Sequence, residues 1–135
     1  MIQGLRILGS TIVGFAVAFA LVIGVEFFGM VFHPFPSDFT HTPEAMCRHV
    51  ERFPPWVLAV SAAGWIATAF ISTWVANRLG GRIAGIIISL FLIWAVGFNV
   101  WMLPYPLWFE LASVIGITVA CLLAIRKPVA AVPSA

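Results

Sequence analysis

The sequence predicts an all-α membrane protein: a four-transmembrane-helix bundle with a short amphipathic helix in the first outer loop. Three observations carry that prediction. Apolar runs at 7–32, 55–76, 83–103 and 107–125 fill most of the 135 residues, and each has about the 20 residues that cross a hydrocarbon core of roughly 30 Å as a helix. The chain is 62% hydrophobic and 9% charged, with a mean hydropathy of +1.08, whereas a soluble domain carries about 25% charged residues. The runs also lack the period-two alternation of barrel strands. Helices then remain as the way to satisfy backbone groups in lipid. One bundle uses the whole of 1–127 and leaves no room for a second domain.

The first run follows Arg6 and contains Ala18-Phe19-Ala20, which looks like a signal-peptide cleavage site. The apolar stretch continues through Leu21 to Val25, so an uncleaved first helix is expected. Ser10, Gly14 and Ala18 recur at every fourth position. Similar stripes mark the later runs: Gly64, Thr68, Ser72 and Ala76; Gly81, Gly85 and Ser89; Ala112, Gly116, Ala120 and Ala124. Small residues at this spacing let helices approach where lipid supplies no hydrophobic drive. They serve packing within the bundle or a contact with another subunit.

The segment 33–54 is the one sizeable polar stretch between runs. Thr42-Pro43-Glu44 reads as a helix start, with Thr as N-cap, Pro at the first helical position and Glu at the positive end of the dipole. Met46, Val50 and Phe53 fall at i, i+4 and i+7. A helix over about 43–53 with that apolar face, lying on the membrane interface, is expected. Asn77 to Arg82 is a glycine-containing inner turn, Leu103-Pro104-Tyr105-Pro106 an outer one, and 128–135 a short cytoplasmic tail. Pro34-Phe35-Pro36 and Pro104-Tyr105-Pro106 stand in matching places after the first and third runs, by internal repetition or by coincidence.

Orientation follows from the seven basic residues. Arg6, Arg78, Arg82, Arg126 and Lys127 fall on one side of a four-pass topology, and Arg48 and Arg52 on the other, which predicts both termini in the cytoplasm. The net charge of +2 is this bias, with no basic patch left for nucleic acid. Cys47 and Cys121 lie at opposite ends of the bundle, beyond the roughly 7 Å between Cα atoms that a disulfide allows. Cys121 is read as a small packing residue.

Glu26 is the sharpest chemical signal. A carboxylate within a span costs roughly 3 kcal/mol and faces the bundle or a cavity. Stepping by four from Ser10 reaches Glu26, so it should point at neighbouring helices. Asn99 and Glu110 are expected at similar depth near the outer end, and the three form a candidate intramembrane polar cluster. His33, His41, Glu44, Cys47 and His49 are metal-ligand types in the outer loop, but their spacing matches no strong metal motif, and no metal or other cofactor is expected. No nucleophile–base constellation, phosphate loop or dinucleotide fingerprint is present. Trp56, Trp101, Tyr105 and Trp108 read as an interfacial aromatic belt, and Trp65, Trp74 and Trp94 as deeper packing or ligand-wall residues.

Glu26 followed by Pro34 and Pro36, Asp38 with Pro43-Glu44-Ala45-Met46, and Asn99 with Pro104, Pro106, Trp108 and Phe109 give the chain a layout that resembles small uncharacterised bacterial four-span integral membrane proteins. The resemblance covers nearly the whole chain and implies the fold and the outward polar cluster, with no activity attached. A weaker likeness is to small multidrug exporters, which also have four short helices and a first-helix carboxylate. Theirs lies nearer mid-span, and they lack a long outer loop with its own helix. The functional expectation is therefore a non-enzymatic inner-membrane structural or accessory protein that packs with a second copy or another membrane subunit, or binds a partner at its outer face. The alternative is a small proton-coupled transporter using Glu26.

Overall fold

A computed structural model describes residues 2–126. Five helices follow one another: α1 (Ile2–Phe32), α2 (Pro43–Glu51), α3 (Pro55–Gly80), α4 (Arg82–Met102) and α5 (Leu107–Ile125). Four of them, all but α2, are long and apolar enough to cross a membrane. The end carrying 33–54 is here called the outer end. The tail 128–135 lies outside the described residues.

The helices form a rhombus. α3 packs on α1, α4 and α5; α4 also touches α1 and α5; α1 and α5 make no close approach. α1 has 31 residues, a length of about 46 Å at 1.5 Å per residue, which exceeds the hydrocarbon core. Its first turns therefore run past the apolar stretch and pack on the inner end of α3. There the Arg6 Nε–H donates to the Leu79 carbonyl at 2.7 Å.

The small-residue stripes face inward at most positions, with Ala112 exposed and Gly64, Gly81 and Gly116 half-buried. Ser10, Gly14 and Ala18 are buried, as are Thr68, Ser72, Ala76, Gly85, Ser89, Ala120 and Ala124. A Cβ on Gly14 would stand 2.9 Å from both Ala76 Cβ and Ile88 Cγ1, so α1, α3 and α4 meet where a larger side chain has no room. Most hydroxyls are satisfied by their own helix. Ser72 donates to the Thr68 carbonyl at 2.6 Å and Ser89 to the Gly85 carbonyl at 2.8 Å, so they enter an apolar seam without unpaired hydrogens. Between helices, Thr73 Oγ1 lies 3.4 Å from Ser89 Oγ and 3.7 Å from Cys121 Sγ, and Asn77 Nδ2 donates to the Ala124 carbonyl at 3.1 Å. Cys121 is buried in this seam, and both cysteines are free thiols.

The turn between α3 and α4 is made by Gly81, at φ 80° and ψ −176°, a region essentially reserved for glycine. At the start of α2 the Ala45 N–H donates to Thr42 Oγ1 at 3.2 Å, as its cap requires. His41, at φ 54°, turns the chain into that cap. The buried face of α2 differs from the expected one. Ala45, His49 and Val50 are buried, while Met46 and Phe53 are half-buried. The face is centred on His49 because aromatic rings from the preceding loop pack on its imidazole.

Candidate functional site

The stripe on α1 changes character as it climbs. Ser10, Gly14 and Ala18 are buried, Val22 is half-buried and Glu26 is exposed. α1 and α4 are closed together in the inner half of the bundle, up to its middle, where Phe15 meets Phe91 edge-on at 4.8 Å between ring centroids. Toward the outer end α1 leans on α3 instead. Val25 fills the space over Gly64, and Phe28 and Phe32 meet Trp56 edge-on at 6.2 and 5.3 Å. A cleft is left between α1 and α4, with α3 and α5 as its floor.

Glu26 stands where three cavities meet. One, of about 170 Å³, runs inward between Val22, Leu92, Val96 and Ile117. The second, of about 400 Å³, lies beneath the outer loop and is lined by His33, His49, Asn99 and Tyr105. The third, of about 40 Å³, lies toward α3 beside Ser61, Trp65 and Phe109. Asn99 borders the first two cavities, and its Oδ1 is buried without a hydrogen-bond partner among the described residues. The Ser113 hydroxyl is in the same condition on α5. A buried polar atom left unpaired costs about 1–3 kcal/mol.

Glu26 and Asn99 are thus brought together, and Glu110 is not. Glu110 is half-buried in the first turn of α5 and lines none of the cavities that Glu26 lines. The inward face of α5 is taken by Phe109, Ser113 and Ile117, so its neighbour in sequence points elsewhere. α5 is also the helix that α1 does not approach.

The outer-loop residues divide in the same way. His33 and His49 stack with ring centroids 4.3 Å apart and planes 26° from parallel. The His33 Nε2–H donates to the His49 carbonyl at 3.2 Å, which fixes a proton on Nε2, because a carbonyl only accepts. Phe35 and Phe53 complete the packing, at 4.5 and 5.3 Å from the His49 ring. Burial, and then the charge of His33, lower the His49 pKa below its ordinary value. His41 and Glu44 are exposed and Cys47 is half-buried, all outside this stack. No group of three or more His, Cys, Asp or Glu side chains comes together among the described residues.

Sequence reasoning missed one wall of the site and one pairing. Tyr105, read from the sequence only as a belt residue, sits half-buried over the cleft, with its ring 4.6 Å from Phe109 and 6.5 Å from Trp65. Burial, and then the carboxylate of Glu26, push its phenol up to about 12. Its place between two prolines was the available signal. The pairing is that of His33, an outer-loop candidate from the sequence, with His49, because a partner sixteen positions on follows no local pattern. Trp65 does line the cleft, whereas Trp94 is 63% exposed and turns outward. The aromatic residues of both Pro-aromatic-Pro turns, Phe35 and Tyr105, reach the same outer cavity.

Comparison with protein-family models, with curated proteins and with solved structures found no match to this chain.

Proposed function

We propose that this is a small non-enzymatic accessory protein of the bacterial cytoplasmic membrane, with both termini cytoplasmic, that receives a partner membrane segment at its outer face. The observation that carries the reading is the position of Glu26. It is an accessible carboxylate at the junction of three cavities, within a span where an ionisable group is costly. A carboxylate in such a cleft complements a cation or a hydrogen-bond donor. The walls formed by Trp65, Leu92, Val96 and Ile117 complement the apolar body that carries it. Most of the small-residue stripe positions are consumed inside the bundle, and the cleft is the recess that carries a carboxylate for recognition.

The test is photo-crosslinking in intact cells from position 95, which borders the cleft. A discrete protein adduct, kept in Glu26→Gln and lost in Glu26→Leu, is the expected result. Adducts with lipid alone, or a protein adduct indifferent to Glu26→Leu, would overturn the proposal.

A second reading, proton-coupled transport, draws on the same carboxylate, reachable from the outer end as a substrate-binding group in an outward-open state would be. The close contacts of Gly14 and Phe15 in the inner half favour a one-sided site instead. Flux into proteoliposomes driven by a pH gradient and abolished by Glu26→Gln would establish the transporter in place of the accessory protein.

A further inference from the structure

The inner end of the molecule carries a second recess, unrelated to Glu26. A groove of about 600 Å³ runs between α4 and α5. Its walls are Ile86, Leu90 and Ile93 on one side and Thr118, Leu122 and Ile125 on the other, with Arg82 and Arg126 at its mouth. The hydroxyls along it are already engaged. Ser89 donates to the Gly85 carbonyl at 2.8 Å and Thr118 to the Val114 carbonyl at 2.7 Å. The groove therefore offers nothing polar along its length and two guanidinium groups at one end.

Its depth is informative. From Arg82 to Ile93 along α4 is about 16 Å at 1.5 Å per residue, close to half of the roughly 30 Å hydrocarbon thickness. The arginines then sit at headgroup depth, and the apolar walls span one leaflet. The other arginines at this end are used differently. Arg6 donates to the Leu79 carbonyl, and the Arg78 guanidinium lies 5.3 Å from the Trp74 ring centre.

We propose that the α4–α5 groove is a binding site for one anionic phospholipid, with the phosphate between Arg82 and Arg126 and an acyl chain along Ile86, Leu90 and Leu122. Arginine matches phosphate oxygens in a forked geometry, and basic recesses between helices are the usual seat of acidic headgroups. The site depends on neither the orientation of the chain in the membrane nor the role of Glu26.

Native mass spectrometry of the full chain, released from detergent with equal amounts of phosphatidylglycerol and phosphatidylcholine, tests this. Each arginine beside a net-anionic headgroup contributes about fivefold, and the choline of phosphatidylcholine offsets its phosphate, so phosphatidylglycerol should be retained about 25-fold over phosphatidylcholine. Arg82→Gln with Arg126→Gln should bring the ratio near one, and Arg78→Gln should leave it unchanged. Leu90→Trp with Leu122→Trp, which fills the groove and spares both arginines, should weaken retention about tenfold by excluding methylenes. Equal retention of the two lipids by the unaltered chain would overturn the proposal, and that comparison stands even if a variant fails to fold. So would a loss in Arg78→Gln as large as in the double arginine variant, or full retention in the groove-filled variant.

Discussion

The two halves of α1 obey opposite rules. In the inner half, Ser10, Gly14 and Ala18 are pressed against α3 and α4, and Gly14 has no space for even a methyl group. In the outer half the same stripe continues through Val22 to Glu26, yet the helices part and the carboxylate faces a cleft. Gly29, which lines two of the cavities beside Glu26, has nothing within 4 Å of where a Cβ would be. One periodicity thus makes a seam at one end and a site at the other. The difference lies in what stands opposite: Ala76 and Ile88 close on Gly14, whereas Val25 on Gly64 and the rings around Trp56 draw the upper part of α1 toward α3.

The sharpest way to break this contrast is to add bulk to each half. Gly14→Leu should destabilise the bundle by about 3 kcal/mol, the upper range for overpacking, as read from unfolding in mixed detergent. Gly29→Leu, on the cleft side of the outer half, should change stability by less than about 0.5 kcal/mol. Equal effects would mean that the two halves are packed alike.

The inner seam also depends on the turn that holds α3 against α4. Gly81→Ala should cost about 2 kcal/mol, because the backbone at φ 80° and ψ −176° is strained for any residue with a Cβ. No Cβ clash contributes, since nothing lies within 4 Å of that position. A neutral Gly81→Ala would show that the turn relaxes without disturbing the seam.

For the outer half, replacing Glu26 should affect binding more than folding. Glu26→Leu should cut the crosslink yield from position 95 by about tenfold or more, the cost of leaving a buried donor of the partner unpaired, with the unfolding midpoint nearly unchanged. A collapse in stability instead would make Glu26 a structural group, and the contrast with Gly14 would disappear.

The smallest expected effect is pH-dependent and confined to the outer loop. The His49 pKa is lowered by burial and by His33, so the folded loop favours neutral imidazole and the unfolded loop binds the extra proton. Stability is then full above the ordinary histidine value of about 6.5 and falls as pH drops below it. Hydrogen exchange in α2, corrected for intrinsic rates, should quicken between about pH 7.5 and 5.5, with α3 and α5 unaffected. His49→Phe should flatten the response, and a response surviving that change would place the titrating group elsewhere.

Hydropathy alone identified the four long helices, because a span must be long, apolar and internally hydrogen-bonded whatever it packs on. Local chemistry likewise announced the start of α2, since Thr42 caps a residue three positions away. The every-fourth-residue stripes told most of the faces that turn inward, Ala112 being an exposed exception. What a stripe does not encode is the distance between two helix axes, which depends on side chains from other helices. Tertiary structure therefore decided that Glu26 opens onto a cleft, that Asn99 shares it and that Glu110 does not. It also decided that His33 finds His49, and that Arg82 and Arg126, forty-four residues apart in number, frame one groove. Periodicity is a property of a single helix; a cavity belongs to the space between several.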